Sequence, residues 1–245
     1  MNEKHSQIRG SFSVDDGRGD FLAKIPTNLP SLIHKCRYIC PVSRQDDKRF
    51  QTATRIFRRQ GGILTTGEAL GYGIHQRTLY EMRDAGTVER LERGLYRLAE
   101  LPPLSDPDLV TVARKVPQGV VCLISALHFH NITTQIPHAV SVALSRGAER
   151  PRLNFPPMKI YWFSGEAFTA GVEEHLIDKT MVRVYGPEKS LADSFKYRNK
   201  IGMDTVREAV DLYRERKRPD RRKLIQFARI CRVEVVMKPY LEVLL

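Results

Sequence analysis

The feature that most constrains this chain is a dense series of short helical and strand patterns between residues 52 and 98. In the first of them, residues 52–59, Ala53, Ile56 and Phe57 lie on one helical face and arginines lie opposite. Two glycines follow and are typical of a helix end. The pattern therefore predicts an amphipathic helix that starts near Phe50.

The next patterns are those of two helices and a hairpin. Thr66 precedes a short apolar stretch, and we expect its hydroxyl to cap a second helix. Residues 76–85 have inward apolar positions at a spacing of three, which predicts a third helix. Residues 87–91 and 94–98 alternate around a turn and predict a β-hairpin. A helix, a helix-turn-helix and a hairpin in this order predict a winged helix over residues 50–100.

The remainder of the chain mixes helical and strand patterns. Proline-rich residues 101–107 predict a linker, and residues 107–245 a second domain. Residues 120–124 fit a buried strand or the start of a buried helix, after which Ser125 is expected to cap a helix. Further strands are predicted at 139–144, 159–163 and 181–185, and helices at 109–115, 187–195, 203–213 and 223–244, the last interrupted at Pro239. The predicted fold class is α+β: an N-terminal winged helix-turn-helix followed by an α+β C-terminal domain of three or four strands.

The first 49 residues differ from the rest. They combine glycine, proline and charged clusters without any period of two or 3.6, as in Asp15–Asp20 and Pro26–Pro30. This composition predicts a disordered or poorly ordered extension. A start codon assigned too far upstream would produce the same pattern, so both interpretations stay open.

Net charge favours a polyanionic partner. Forty lysines and arginines against 28 acidic residues give a net charge of +12, which predicts attraction to nucleic acid but does not specify a fold. The start of the chain lacks the apolar core of a signal peptide, and no apolar run is long enough to span a bilayer. Four scattered cysteines do not suggest a disulfide framework. We therefore expect a cytoplasmic protein without a membrane partner.

The third predicted helix carries the strongest candidate site. A recognition helix presents its N-terminal residues to base edges in the major groove. Gln76 and Arg77 occupy that end, where Gln suits adenine and Arg suits guanine. Further base or phosphate contacts are predicted at His75, Thr78, Tyr80, Arg83, Arg90, Arg93, Arg97, Arg55, Arg58 and Arg59. Winged helices also serve as protein-interaction modules, which is the alternative interpretation.

A second basic patch lies at the junction of two predicted helices. Seven of the ten residues from Arg214 to Lys223 are basic. A solvated turn explains such a run, but so does a second phosphate-binding surface or a surface for RNA or an acidic partner. The residues of this patch are Arg214, Arg216, Lys217, Arg218, Arg221, Arg222 and Lys223.

Signals for catalysis are weak. His128 and His130 would point apart on a helix, so no metal site is predicted there. Glu188, Lys189 and Asp193 share a helix and fit nuclease-like chemistry, but pairing of Lys189 with Asp193 four residues later is a simpler explanation. We expect no enzymatic activity, metal or cofactor.

Several short sequence motifs resemble those of a known protein family. These are residues 61–69, 73–80 and 91–98, followed by 117–137, 184–193 and 197–202. In this order they resemble the AbiEi-type antitoxins of type IV toxin–antitoxin systems, also described as predicted transcriptional regulators of viral defence systems. The resemblance covers roughly residues 51–245 and leaves the N-terminal extension unmatched.

The resemblance implies a specific role. It implies a winged helix that binds inverted repeats in the promoter of its own operon, with Arg77 and Arg93 among the DNA contacts. It also implies a C-terminal domain that counteracts a nucleotidyltransferase-like toxin without forming a stable complex with it. The alternatives are an interaction module that grips an acidic partner and a nuclease-like defence enzyme.

Overall fold

Two β-sheets organise the computed structural model, which describes residues 44–216 and 219–244. The first sheet belongs to the helix–hairpin segment, by which we mean residues 44–99. Its element order is the one that the sequence predicts for a winged helix. The elements of this segment are α1 (Arg44–Arg59), β1 (Ile63–Thr65), α2 (Thr66–Gly71), α3 (Gln76–Asp84), β2 (Val88–Glu92) and β3 (Leu95–Leu98).

The second sheet belongs to the larger C-terminal part. Together the two parts make a mixed α+β fold, which confirms the predicted class. The elements here are α4 (Pro107–Lys115), β4 (Val120–Val121), α5 (Leu123–Phe129), β5 (Val140–Ser145), β6 (Met158–Phe163), α6 (Glu166–Thr169), β7 (Val172–Ile177), β8 (Thr180–Tyr185), α7 (Pro187–Lys196), α8 (Arg198–Ile201), α9 (Met203–Arg214), α10 (Arg221–Ile230) and α11 (Glu234–Leu244).

The first sheet is antiparallel and has β3 in its centre. Its strand order is β1-β3-β2, with Leu64 opposite Tyr96 and Val88 opposite Leu98. Helices α1 and α3 pack on it through a core that includes Phe57, Leu79, Met82, Val88 and Leu98. Burial of these side chains supplies the main driving force for the segment, as expected for apolar surface removed from water.

The second sheet has five strands in the order β6-β5-β4-β8-β7. The pairs β5–β6 and β4–β8 are parallel and the other two pairs are antiparallel. Helix α4 and the residue that follows it cover one face through Leu109, Val112 and Val116, which pack with Val182 and Val184. Helix α7 lies on the opposite face, and α9, α10 and α11 pack on its outer side in a second core.

Some local predictions are wrong. Helix α1 begins at Arg44 rather than near Phe50, so residues 44–49 are helical; the preceding residues of the predicted extension lie outside the described part. Thr65 rather than Thr66 caps α2, because its Oγ1 accepts a hydrogen bond from the backbone N–H of Glu68.

Two further predictions in the C-terminal part are corrected. Ser125 does not begin a helix but lies inside α5, where its Oγ accepts a hydrogen bond from the backbone N–H of Ser141 at 2.9 Å. The last helical stretch breaks at residues 231–233, where Arg232 has a φ of 59°, whereas Pro239 lies within α11. Strand β7 was not predicted. No helix among the described residues is long and apolar enough to cross a bilayer.

Candidate nucleic-acid interface

Helix α3 is held with its N-terminal end open to solvent. His75 is its N-cap, and its Nδ1 accepts a hydrogen bond from the backbone N–H of Arg77. Leu79 and Met82 are fully buried, which fixes the inward face of the helix. The opposite face therefore presents His75, Gln76 and Arg77 at the end from which a recognition helix contacts bases.

A tyrosine orients the side chain of Gln76. Its Nε2 donates a hydrogen bond to the hydroxyl oxygen of Tyr80, one turn later, at 2.6 Å. A glutamine amide has two N–H groups and one carbonyl, so this contact leaves one N–H and Oε1 for another partner. Those two groups are the ones that pair with N7 and N6 of adenine.

Arg77 is exposed and is held only by a surface ion pair. Its side chain is 79% exposed, and its Nε donates to Glu81 Oε1 at 2.8 Å, four residues later on the same helix. Exposed ion pairs of this kind contribute little to stability, typically about 0–1 kcal/mol. The guanidinium can therefore exchange Glu81 for a guanine edge or a phosphate at small cost.

Arg83 is more constrained. It bonds Asp84 through two nitrogens, at 2.9 and 2.7 Å, and its guanidinium carbon lies 5.2 Å from the ring centroid of Tyr80. The hydrogen bond to Asp84 raises the pKa of Arg83. Arg83 thus supports the exposed ring of Tyr80 as much as it offers charge to a ligand.

Helix α1 contributes residues that the sequence did not single out. Lys48, Arg49 and Thr52 line a cleft of about 350 Å³ together with His75 and Arg77. The cleft joins the N-terminal end of α3 to a basic face of α1. The Lys48-Arg49 pair, about one helical turn before Thr52, could have revealed this basic face from the sequence. It was overlooked because it lies at the end of the stretch assigned to the N-terminal extension.

The β-hairpin offers two exposed arginines. Arg90 is exposed on β2 at an irregularity of the strand pairing, and Arg93 is exposed at the turn between the strands. Gly94 completes that turn with a φ of 72°, a conformation in which a side chain would be strained. The hairpin therefore projects arginines to solvent at the place where a wing would follow the DNA backbone.

Two predicted contacts are wrong because the side chains are buried. Thr78 is only 6% exposed, since it lies four residues before Met82 on the inward face of α3. Arg97 is 4% exposed, because β3 is the central strand and both its faces are covered. The Arg97 guanidinium is held inside by Glu89 and by the carbonyl oxygen of Pro102.

The arginines at the end of α1 differ from one another. Arg58 donates to both carboxylate oxygens of Glu100, at 2.7 and 2.8 Å, and this hydrogen bond lowers the pKa of Glu100. The positive charge of Arg58 is thereby offset. Arg55 and Arg59 are exposed, and within residues 44–216 and 219–244 neither has an ion-pair partner.

A shared carboxylate fixes the start of the helix-turn-helix. Glu68 Oε2 accepts hydrogen bonds from the backbone N–H and hydroxyl of Thr65, which completes a capping box. The same oxygen accepts a hydrogen bond from Arg114 of α4 at 2.6 Å. Arg114 also bonds the carbonyl of Ile63, so α2 is anchored to the C-terminal part.

The second basic patch is divided by the structure. Arg216 donates to the carbonyl oxygen of His130 at 2.9 Å and thus serves the fold. Lys223 lies 4.0 Å from Asp220, and Arg214 lies 3.9 Å from Asp211. Arg221 and Arg222 are exposed at the start of α10. Lys217 and Arg218 lie outside the described residues.

The candidate nuclease residues are buried. Lys189 and Asp193 are both 0% exposed and their Nζ and Oδ2 atoms are 2.5 Å apart, in agreement with the pairing alternative. Glu188 is 8% exposed and accepts a hydrogen bond from Tyr213. His130 contacts the carbonyl oxygen of Tyr185, and burial lowers its pKa. In the described part no three His, Cys, Asp or Glu side chains group as metal ligands.

Comparison with known proteins bears on the helix–hairpin segment. Residues 51–99 match the family model described as "Transcriptional regulator, AbiEi antitoxin". The AbiEi resemblance is thus confirmed for that segment, which contains α2, α3 and the hairpin. The match ends at residue 99. The similar motifs further along the chain therefore remain a resemblance only.

Other comparisons add little. No curated protein matches the chain. Among solved structures it is similar to the crystal structure of the RV2827C protein from Mycobacterium tuberculosis, with 14% identity, a TM-score of 0.49 and coverage of 81% of each chain. At this level the likeness does not bear on function.

Proposed function

We propose that this protein represses its own promoter through the helix–hairpin segment and is the antitoxin of a type IV toxin–antitoxin pair. The observation that supports DNA binding best is the open N-terminal end of α3, with Gln76 and Arg77 exposed beside the basic cleft of α1. The family match of residues 51–99 supports a regulatory role. The helix–hairpin segment acts here as a winged helix.

In the proposed mechanism some side chains contact bases and others contact phosphates. Helix α3 enters the major groove, where Gln76 and Arg77 select bases, each with about 1–3 kcal/mol of discrimination. Lys48, Arg90 and Arg93 contact phosphates and release counterions, which makes affinity depend on salt. Two protomers on inverted repeats would place two such helices on one face of the duplex.

The antitoxin half of the proposal concerns residues 107–245. It rests on the AbiEi resemblance and on the family match of the preceding segment. We propose that this part opposes a nucleotidyltransferase-like toxin, in phage defence and in the cytoplasm, without forming a stable complex and without enzymatic activity of its own. Rescue of growth by the full chain when the neighbouring gene is induced tests this half.

The DNA-binding half is tested by titrating the protein against its upstream promoter and against a scrambled duplex. Arg77→Ala should weaken promoter binding about 10- to 100-fold and scrambled binding much less. The matched control is Arg207→Ala, because Arg207 is also exposed and also pairs with a carboxylate on its own helix, Asp204. This control should bind as the wild type does.

The outcomes separate roles clearly. Equal losses on both duplexes would make Arg77 a phosphate contact and would shift base selection to Gln76. No loss on either duplex would contradict the proposed interface. A loss for Arg207→Ala equal to that for Arg77→Ala would show that overall charge, and not α3, governs binding.

A further inference from the structure

A second basic surface lies in the C-terminal part, away from the helix–hairpin segment. A groove of about 970 Å³ opens beyond the end of β6, between the ends of α7 and α10. Four cationic side chains line it, Lys196, Arg198, Arg229 and Arg232, against one carboxylate, Glu166. A groove with this balance of charge attracts anions.

The cations of the groove are available to a ligand. Arg232 is exposed and has no ion-pair partner in the part of the chain that the structure describes. Arg229 is exposed and pairs with Glu234 at 3.0 Å, an exchangeable surface contact. Arg198 donates a hydrogen bond from Nη1 to the carbonyl oxygen of Phe195, which leaves its other N–H groups free for phosphate oxygens.

Charge continues beyond the groove along α8. Lys200 lies 5.8 Å from the ring centroid of Tyr161 and 5.5 Å from that of Tyr197. Lys196 and Arg198 line the groove, and Lys200 extends the positive charge beyond it beside two half-buried tyrosines. Basic grooves that track a backbone beside aromatic rings are typical of single-strand binding.

The groove and the proposed promoter interface lie on opposite faces of the five-stranded sheet. The helix–hairpin segment is joined to α4, through the Glu68–Arg114 pair. The groove is built on α7, whose Lys189 lies over the rings of Phe163 and Tyr185 on the other face. We therefore expect a duplex held by α3 to leave this groove open.

We propose that the groove binds a single strand of nucleic acid through its phosphates. Its volume of about 970 Å³ admits a few nucleotides of a single strand. The four cations that line the groove, with Lys200 beyond it, fit a chain of phosphates better than one small anion. This site goes beyond promoter binding and does not depend on it.

The test uses fluorescence anisotropy on the full chain with labelled oligo(U) and oligo(dT) of about twelve nucleotides. Arg232→Glu should weaken binding about tenfold and flatten the dependence of log K on log salt by about 0.7. Arg229→Gln, a milder change, should weaken it about threefold. The control is Lys238→Glu, an exposed lysine of α11 that does not line the groove and should bind as wild type does.

Competition distinguishes this site from the promoter site. Excess unlabelled promoter duplex should leave strand binding in place, and Arg77→Ala should not weaken it. Displacement by duplex, equal losses for Arg232→Glu and Lys238→Glu, or no binding of either strand would overturn the proposal. Binding of ATP that depends on Arg232, without binding of strands, would also overturn it. Equal thermal stability of Arg232→Glu, Arg229→Gln and wild type excludes loss of folding as the cause.

Discussion

Two ion pairs with the same helical spacing have opposite environments in this protein. Arg77 and Glu81 on α3 have side chains that are 79% and 31% exposed, whereas Lys189 and Asp193 on α7 are both 0% exposed. The exposed pair lies at the end of a helix that faces solvent. The buried pair lies between the second sheet and the outer helices, beside Cys231, whose thiol donates to Asp193 Oδ1.

The difference shows what burial does to the same sequence pattern. The exposed pair is screened by water and salt, so its arginine can change partners during binding. The buried pair has lost its hydration, and burial raises the pKa of Asp193 although Lys189 and Cys231 act in the opposite direction. Such a pair fixes the arrangement of α7 but is expensive to disrupt.

The largest effect expected from this comparison is that of Lys189→Met. It leaves a buried carboxylate without its partner and should lower the free energy of unfolding by about 3–5 kcal/mol. Arg77→Met, with the same spacing, should cost about 0.5 kcal/mol or less. Chemical denaturation of both variants measures this. Similar losses would contradict the assignment of their environments, and Lys189→Met with Asp193→Leu should recover much of the loss.

An intermediate case is Glu68, whose side chain is 40% exposed and whose partner Arg114 is 24% exposed. Glu68→Ala removes both the capping box and this ion pair and should cost about 1–2 kcal/mol. Glu68→Gln retains the capping geometry and should cost less. Thermal unfolding of the two variants provides the measurement. Equal costs would show that the charge of Glu68, and not the capping box, dominates.

The smallest expected effect concerns pH. Glu208 on α9 accepts hydrogen bonds from the hydroxyl and backbone N–H of Thr134, and these lower its pKa from the usual 4.5. A lowered folded pKa contributes stability above the unfolded value, and this contribution is lost as pH falls through the folded pKa. Glu208→Gln should therefore lower Tm by about 2 °C at neutral pH.

The control for this prediction is the same measurement in acid. As the pH falls from neutral through the lowered pKa of folded Glu208, the difference in Tm between the wild type and Glu208→Gln should shrink, because the carboxyl of the wild type becomes protonated. A difference in Tm that is unchanged between neutral and acid solution would contradict a role for the charge of Glu208.

Local patterns predicted helix α3 and the hairpin but not the burial of every side chain in them. The inward spacing of Leu79 and Met82 is enough to define one face of α3. In the sequence, Arg97 has the position of an outward-facing residue of a hairpin. In the structure, β1 pairs with the free edge of β3 and places Ile63 opposite Arg97. That pairing joins distant parts of the chain and leaves no local signal at Arg97.

The C-terminal part shows the same limit. The buried strands β5 and β8 were predicted because they are rich in apolar, β-branched residues. Strand β7 was missed because it is an edge strand whose polar residues Glu173, Glu174 and His175 interrupt any alternation. The basic groove was missed because its cations come from α7, α8, α10 and the turn that follows α10, and they meet only in the folded chain.

The contact between Glu68 and Arg114 has a consequence for anyone who dissects this chain. Cutting after the hairpin removes Arg114 and also Lys115, whose Nζ donates to the carbonyl oxygen of Arg93 at the turn of the hairpin. It also uncovers Ile63 and Leu95, which pack with Val110 of α4. The helix–hairpin segment, when transplanted into another protein, therefore has to carry α4 with it, or a replacement that supplies the same arginine and the same apolar cover.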